Sequence, residues 1–387
     1  MDAIYRHAAV ADATGPAPVL DQTVVVIDDR ITWMGHDDEA PELSADLRVV
    51  DAGGATVVPG MVDAHSHTVL PGGSHWITRI DDSTEELLQV AEENGELAHR
   101  AGTRWLRDVG SPPRDGTALA LRVRDAWRGR QDRPYVRAAG TWISRAGVLP
   151  STIDVEAADA DELVAAVGRQ AADGADLIKL YLDGPDREVA PWTAGEVARA
   201  VAAAAARGVT VTAHATVLPG ARAAVEGGVD CIEHGSHLDA DLAREMAGRG
   251  TFLVPTLGVL ASWEGFATTT TIERFAGEDG RKALAARRET AYESLRLASA
   301  AGVRIAAGTD FGGGSLRANH MAWEVECLVG AGLEPWQALA AATWRGGELL
   351  REPSAGRLAA GGPADFFLVH GNPLDDPSAL WRVWKVA

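Results

Sequence analysis

Between Met61 and about Leu350 the chain repeats one pattern, a short apolar run followed by a longer stretch rich in alanine and leucine. The runs at 61–67, 104–110, 135–142, 177–182, 209–215, 231–235, 252–257 and 304–310 are short enough for strands. Stretches such as 194–207 and 335–350 carry helical spacing between or after them. Alternating βα units predict an α/β fold with a parallel sheet. Eight such units in about 290 residues favour a closed (β/α)8 TIM-like barrel over an open, doubly wound sheet.

The ends of the chain read differently. Runs at 23–27, 31–34 and 47–50 are separated by Asp and Gly turn signals, and the segment 356–370 returns to the same β-type pattern. A small accessory β-sandwich built from 1–58 and 352–387 is therefore expected beside a barrel spanning 59–351.

Charge narrows the class. The formal net charge of -19 is not confined to a tail, which argues against a nucleic-acid partner and against an anionic membrane surface. No run approaches the roughly 18 apolar residues of a membrane span, and the N-terminus lacks a basic region followed by an apolar stretch, so a cytoplasmic protein is expected. Cys231 and Cys327 each sit in an apolar periodic segment and are expected to be buried free thiols.

Within this frame six residues stand out. Lys179 interrupts an apolar run, and a charged side chain is almost never fully buried without a partner. His65 and His67 end the first predicted strand, His214 and His234 lie late in the fifth and sixth, and Asp310 ends the eighth. Active sites of such barrels lie at the C-terminal ends of the strands, so all six residues, Lys179 included, converge on one face. Residues two apart in a strand share a side, which lets a His-x-His pair aim both imidazoles at one ion and puts Tyr181 beside Lys179. The set points to a metal site.

The segments Val58-Pro-Gly-Met-Val-Asp-Ala-His-Ser-His67, Ile178-Lys-Leu180, Ala213-His-Ala215, Ile232-Glu-His-Gly235 and Gly308-Thr-Asp310 resemble the amidohydrolase superfamily, most closely the branch of imidazolonepropionases and metal-dependent prolidases. Arg107-Asp-Val-Gly110, Gly361-Gly-Pro-Ala-Asp365 and His370-Gly-Asn-Pro373 extend the resemblance along nearly the whole chain. It implies two divalent metals bridged by a carboxylated Lys179 and a hydroxide. His65, His67 and Asp310 would hold one metal, His214 and His234 the other, and Asp310 would act as general base and then general acid. Zinc suits these donors, and manganese, iron or cobalt fit them too. The expected reaction is hydrolysis of a C–N bond, an amide or cyclic amide, in a small molecule or an N-acyl amino acid or dipeptide. A lactone, ester or carbamate hydrolase is the alternative on the same site, ahead of a single-metal deaminase or a noncatalytic scaffold.

Substrate contacts are sought among Tyr181, His237, His320, Arg145 and Arg317, with the two arginines as candidate carboxylate clamps. Asp108 is expected to order the rim. Trp76, Trp142 and Trp263, in predicted catalytic-side loops, suggest an apolar or aromatic substrate portion. Two segments depart from the family pattern where substrate is selected: Trp142-Ile-Ser-Arg-Ala-Gly-Val-Leu-Pro150 has no histidine, and Leu182-Asp-Gly-Pro-Asp-Arg187 lacks a Gly-Gly pair. Association into a homo-oligomer is also open.

Overall fold

A computed structural model describes residues 2–42, 47–149 and 152–387. Eight parallel strands carry the site: β1 Met61–Ser66, β2 Thr103–Asp108, β3 Tyr135–Ala138, β4 Leu177–Tyr181, β5 Thr210–Ala215, β6 Cys231–His234, β7 Phe252–Val254 and β8 Arg304–Ile305. Strands β3, β2 and β1 pair in one sheet, and β4 to β8 pair in sequence order in another. The two sheets touch at both edges. Ala139 bridges Leu177 beyond β3, while beyond β8 the amides of Ala64 and Asp310 donate to Ala307 O and His65 O at 2.9 and 2.7 Å.

All eight expected strands are found, most of them one to four residues shorter than their apolar runs. The greatest difference is in 304–310, where only two residues form a ladder and the chain that follows bonds to β1 at Ala307 and Asp310. The apolar stretch 335–350 is two helices, Pro335–Ala341 and Trp344–Leu350, where one was expected. The break has a local cause. The carbonyls of Ala341 and Ala342 accept from Ala307 N and Val62 N, so they are turned toward the strands at the point where a continuous helix would use them internally.

Both chain ends enter one seven-stranded mixed sheet, in which Phe366–Val369 lies between Thr56–Pro59 and Val383–Val386. Side chains alternate across a strand. Phe366 and Leu368 accordingly pack in the core of that sheet, whereas Phe367 and Val369 pack in the main core with Ile178 and Leu180 of β4. Burying a large apolar side chain contributes about 1.5–3 kcal/mol, so this one strand ties the two layers together strongly. A buried ion pair from Arg104 of β2 to Asp365, at 2.9 Å, reinforces the joint. Cys231 and Cys327 are buried free thiols.

Candidate metal centre

Alternation along the strands explains part of the site. In β4, Ile178 and Leu180 face the helices, and Lys179 and Tyr181 face the opposite side of the sheet; in β5 the same rule turns Thr212 and His214 to that side. In β6 it assigns Cys231 and Glu233 to the interior and would send His234 outward. His234 turns in because its backbone is left-handed, with φ of 68°. Thr256 and Asp310, with φ of 49° and 53°, share this sparsely populated conformation at the ends of their segments. Such backbone is retained where the surroundings over-determine it, often at functional sites.

The four histidines form a row. Ring centroids are separated by 5.3 Å from His67 to His65, 5.0 Å from His65 to His234 and 4.6 Å from His234 to His214. One nitrogen of each ring is tied outward. His65 Nδ1 donates to Glu233 Oε2 at 2.7 Å, His67 Nδ1 to the Gly110 carbonyl at 2.7 Å, and His214 Nε2 to Asp183 Oδ2 at 3.1 Å, while His234 Nδ1 meets Thr256 Oγ1 at 2.7 Å. Carboxylates and carbonyls only accept, so the outer nitrogens of His65, His67 and His214 hold protons, and in the neutral imidazoles the inner nitrogens present lone pairs.

These inner atoms crowd together. His65 Nε2 and His67 Nε2 stand 3.4 and 3.2 Å from Asp310 Oδ1, and His234 Nε2 stands 3.0 Å from His214 Nδ1. Lone pairs at such distances repel unless a proton or cation lies between them. Donor atoms 2.0–2.2 Å from a tetrahedral ion are themselves roughly 3.3–3.6 Å apart, so the spacings at Asp310 are close to those of a metal site, and the His234–His214 pair is tighter. His65, His234 and Asp310 each offer a donor atom within 4.8 Å of the others, so His234 adjoins the His65 and Asp310 donors.

Lys179 lines the same cavity as these atoms. Its side chain is among the largest fully buried ones, and its Nζ has no hydrogen-bond partner among the described residues. Burial pushes its ammonium down to about 8, against the opposing pull of the Glu233 carboxylate. An orphan buried nitrogen facing metal donors is the feature a carboxylated lysine would account for.

Several supporting residues escaped sequence reasoning. Glu233 accepts from His65, from Arg107 at 2.7 Å and from Thr212 Oγ1. Although it is buried, the Arg107 guanidinium, Lys179 and His65 together hold its carboxyl well below the usual range. Its inward register in β6 was the available signal. Asp183 accepts from His214 and from the Thr216 amide at 3.0 Å, and burial is outweighed there by His214, which holds the carboxyl low. Asp108 orders the rim as expected, accepting from Thr68 and from Gly110 N at 2.9 Å, and so fixes the carbonyl that orients His67. Gly313 is required against the His67 ring, since a Cβ there would lie 2.1 Å from His67 Cδ2.

A cavity of about 330 Å³ opens above the row. Tyr181 lines it, its ring stacked on His214 at 4.1 Å, and burial pushes its hydroxyl up to about 12, so it remains a donor. Trp76, Trp142 and Trp263 line it as well. Arg145, Arg317, His237 and His320 do not. Arg145 donates to Pro191 O at 3.1 Å and lies over the Trp192 ring, His237 Nδ1 is held by Thr216 O at 2.7 Å, and His320 Nδ1 by Arg317 O at 3.1 Å. An arginine that does reach the cavity is Arg287, in the helix Glu278–Ala301.

The sequence profile of the amidohydrolase family matches residues 56–386. The chain belongs to that family. This amidohydrolase is 33% identical to an uncharacterized Mycobacterium tuberculosis protein over 336 residues, 84% of this chain and 82% of that protein. It is 30% identical over 399 residues to the imidazolonepropionase of Mycolicibacterium smegmatis, covering 96% and 89% of the two chains. Among solved structures, a Xaa-Pro dipeptidase with methionine bound in its active site superposes with a TM-score of 0.84 at 27% identity, covering all of this chain and 98% of the other. The amidohydrolase is thus a hydrolase acting on C–N bonds, built on an α/β fold of parallel strands. No helix among its described residues is long and apolar enough to cross a membrane.

Proposed function

We propose that the protein is a binuclear metal-dependent hydrolase that opens an amide or cyclic amide of a small molecule or an N-acyl amino acid or dipeptide. The reading takes β1 to β8 as a closed (β/α)8 barrel over 59–351, with 1–58 and 352–387 as its accessory β-unit, in a cytoplasmic setting. The observation that carries it is the convergence of the inner imidazole nitrogens of His65 and His67 on Asp310 beside the orphan Nζ of Lys179.

His65, His67 and Asp310 would hold one ion and His214 and His234 the other, with zinc the best match to these donors. Lys179 Nζ would add to CO2 and lose a proton, giving an anionic carbamate able to bridge both. Bound divalent ions would polarise the scissile carbonyl and lower the pKa of water toward about 7. Asp310 would take the proton of the attacking water and return it to the leaving nitrogen as the C–N bond breaks. Tyr181, a hydroxyl donor at the cavity wall, would hydrogen-bond the substrate carbonyl oxygen.

The test is turnover of a mixed library of dipeptides, N-acyl amino acids, lactams, imides and lactones by metal-loaded protein, together with elemental analysis. About two metals per chain and cleavage of amides would support the reading. Turnover of lactones or esters alone would favour the alternative, one metal with deamination would favour deaminase chemistry, and a metal-free, inert protein would overturn it.

A further inference from the structure

The row of histidines has unlike ends. At one end the Trp142 ring lies 5.2 Å from His67, and at the other the Tyr181 ring is stacked on His214. Arg287 belongs to the second end. Its guanidinium lies over the Trp263 ring at 5.2 Å and is close enough to Tyr181 for its charge to lower that hydroxyl's pKa in part. The cavity wall between is apolar, with Leu149, Ile153, Val259 and Leu260 among its residues. Among the described lining residues Asp310 is the only acid and sits at the floor, while Arg287 and Lys179 are the only Lys or Arg side chains. Arg287 is solvent-exposed, at the mouth, whereas Lys179 is sealed below.

Guanidinium is a weakly hydrated planar fork matched to a carboxylate, and an apolar wall beside it strengthens that attraction. We propose that Arg287 is the anion-selecting residue of the cavity, holding a substrate carboxylate at the Tyr181 end while a flat apolar group of the same substrate lies against Trp142 at the His67 end. This rests on reading the cavity as the substrate site and adds a polarity to it: the bond to be cleaved lies between an apolar half and an anionic half. Neutral amides of the same shape would enter without the ionic contact. The role expected of Arg145 and Arg317 thus falls to a residue on the helix Glu278–Ala301.

Binding separates this proposal from the reaction itself. The affinities of 4-phenylbutanoate and of its neutral isostere 4-phenylbutanamide for metal-loaded protein are measured by calorimetry, in wild type, Arg287→Gln and Arg145→Gln. The acid is expected to bind at least tenfold more tightly than the amide to wild type and to Arg145→Gln, a difference of about 1.4 kcal/mol. In Arg287→Gln the ratio should fall to near one through weaker binding of the acid, with the amide unchanged. The wild-type preference should also shrink with added salt, as for an exposed charge. Trp142→Leu should weaken acid and amide alike. Equal binding of acid and amide by wild type overturns the proposal, and so does a preference that survives in Arg287→Gln, which would assign the anion to the metals. If no library amide is hydrolysed, the hydrolytic reading fails and the binding result still decides Arg287.

Discussion

Glu233 Oε2 lies 2.7 Å from His65 Nδ1, and neither side chain reaches solvent. The carboxylate fixes the tautomer that leaves His65 Nε2 free to face Asp310, and Arg107 neutralises it from the other side. Partners of this kind typically contribute roughly 10- to 100-fold in metal affinity. Glu233→Gln should therefore weaken metal binding by about that factor in a competition assay with a chelator. Unchanged affinity would show that His65 is oriented by its packing alone.

Lys179→Ala removes the proposed bridging group and leaves a hole among buried polar groups. The variant should retain fewer metals per chain than wild type and lose nearly all turnover. A fully metallated and fully active Lys179→Ala protein would end the carbamate assignment.

Asp310→Asn keeps the shape of the side chain and removes its basicity. General acid–base catalysis contributes about 100- to 10,000-fold, so kcat should fall within that range. The informative comparison is with substrates whose leaving nitrogen is already acidic, such as anilides. They should lose less, because proton return to nitrogen matters less for them.

Far from the centre, His99 Nδ1 accepts from Arg104 at 2.7 Å, at the end of the helix Thr84–Arg100. Burial, and then the Arg104 charge, push its imidazolium down to about 4 from an ordinary 6.5. Between those values the unfolded chain binds more protons than the folded one, so this contribution to stability is full above about 6.5 and is lost as pH falls toward about 4. Urea midpoints measured at pH 7 and 4.5 should therefore fall more steeply in wild type than in His99→Gln. Parallel profiles would contradict the assignment.

Much of this was legible in the sequence, and the exceptions have physical reasons. Lys179 and His214 were legible from their places late in β4 and β5, and the alternation that put Tyr181 beside Lys179, applied to β6, would have put Glu233 on the same side as His214. It could not foresee that His234 and Asp310 face the centre through left-handed backbone, because that conformation is imposed by tertiary packing and leaves no mark on residue type. The loop arginines were misplaced for a related reason. Arg145 finds a carbonyl and a tryptophan face nearby, whereas Arg287 reaches the cavity from a 24-residue helix whose pattern gives no hint of which turn overhangs the mouth.

The strand Phe366–Val369 gives alternate side chains to two cores, and this has a bearing on how the molecule is made. On the ribosome, β1 to β8 emerge before Phe367 and Val369, the residues that seal one side of their packing. These strands thus cannot reach their final packing density during synthesis of their own segment, and the nascent chain must hold an unfinished apolar face until Phe366–Val369 arrives.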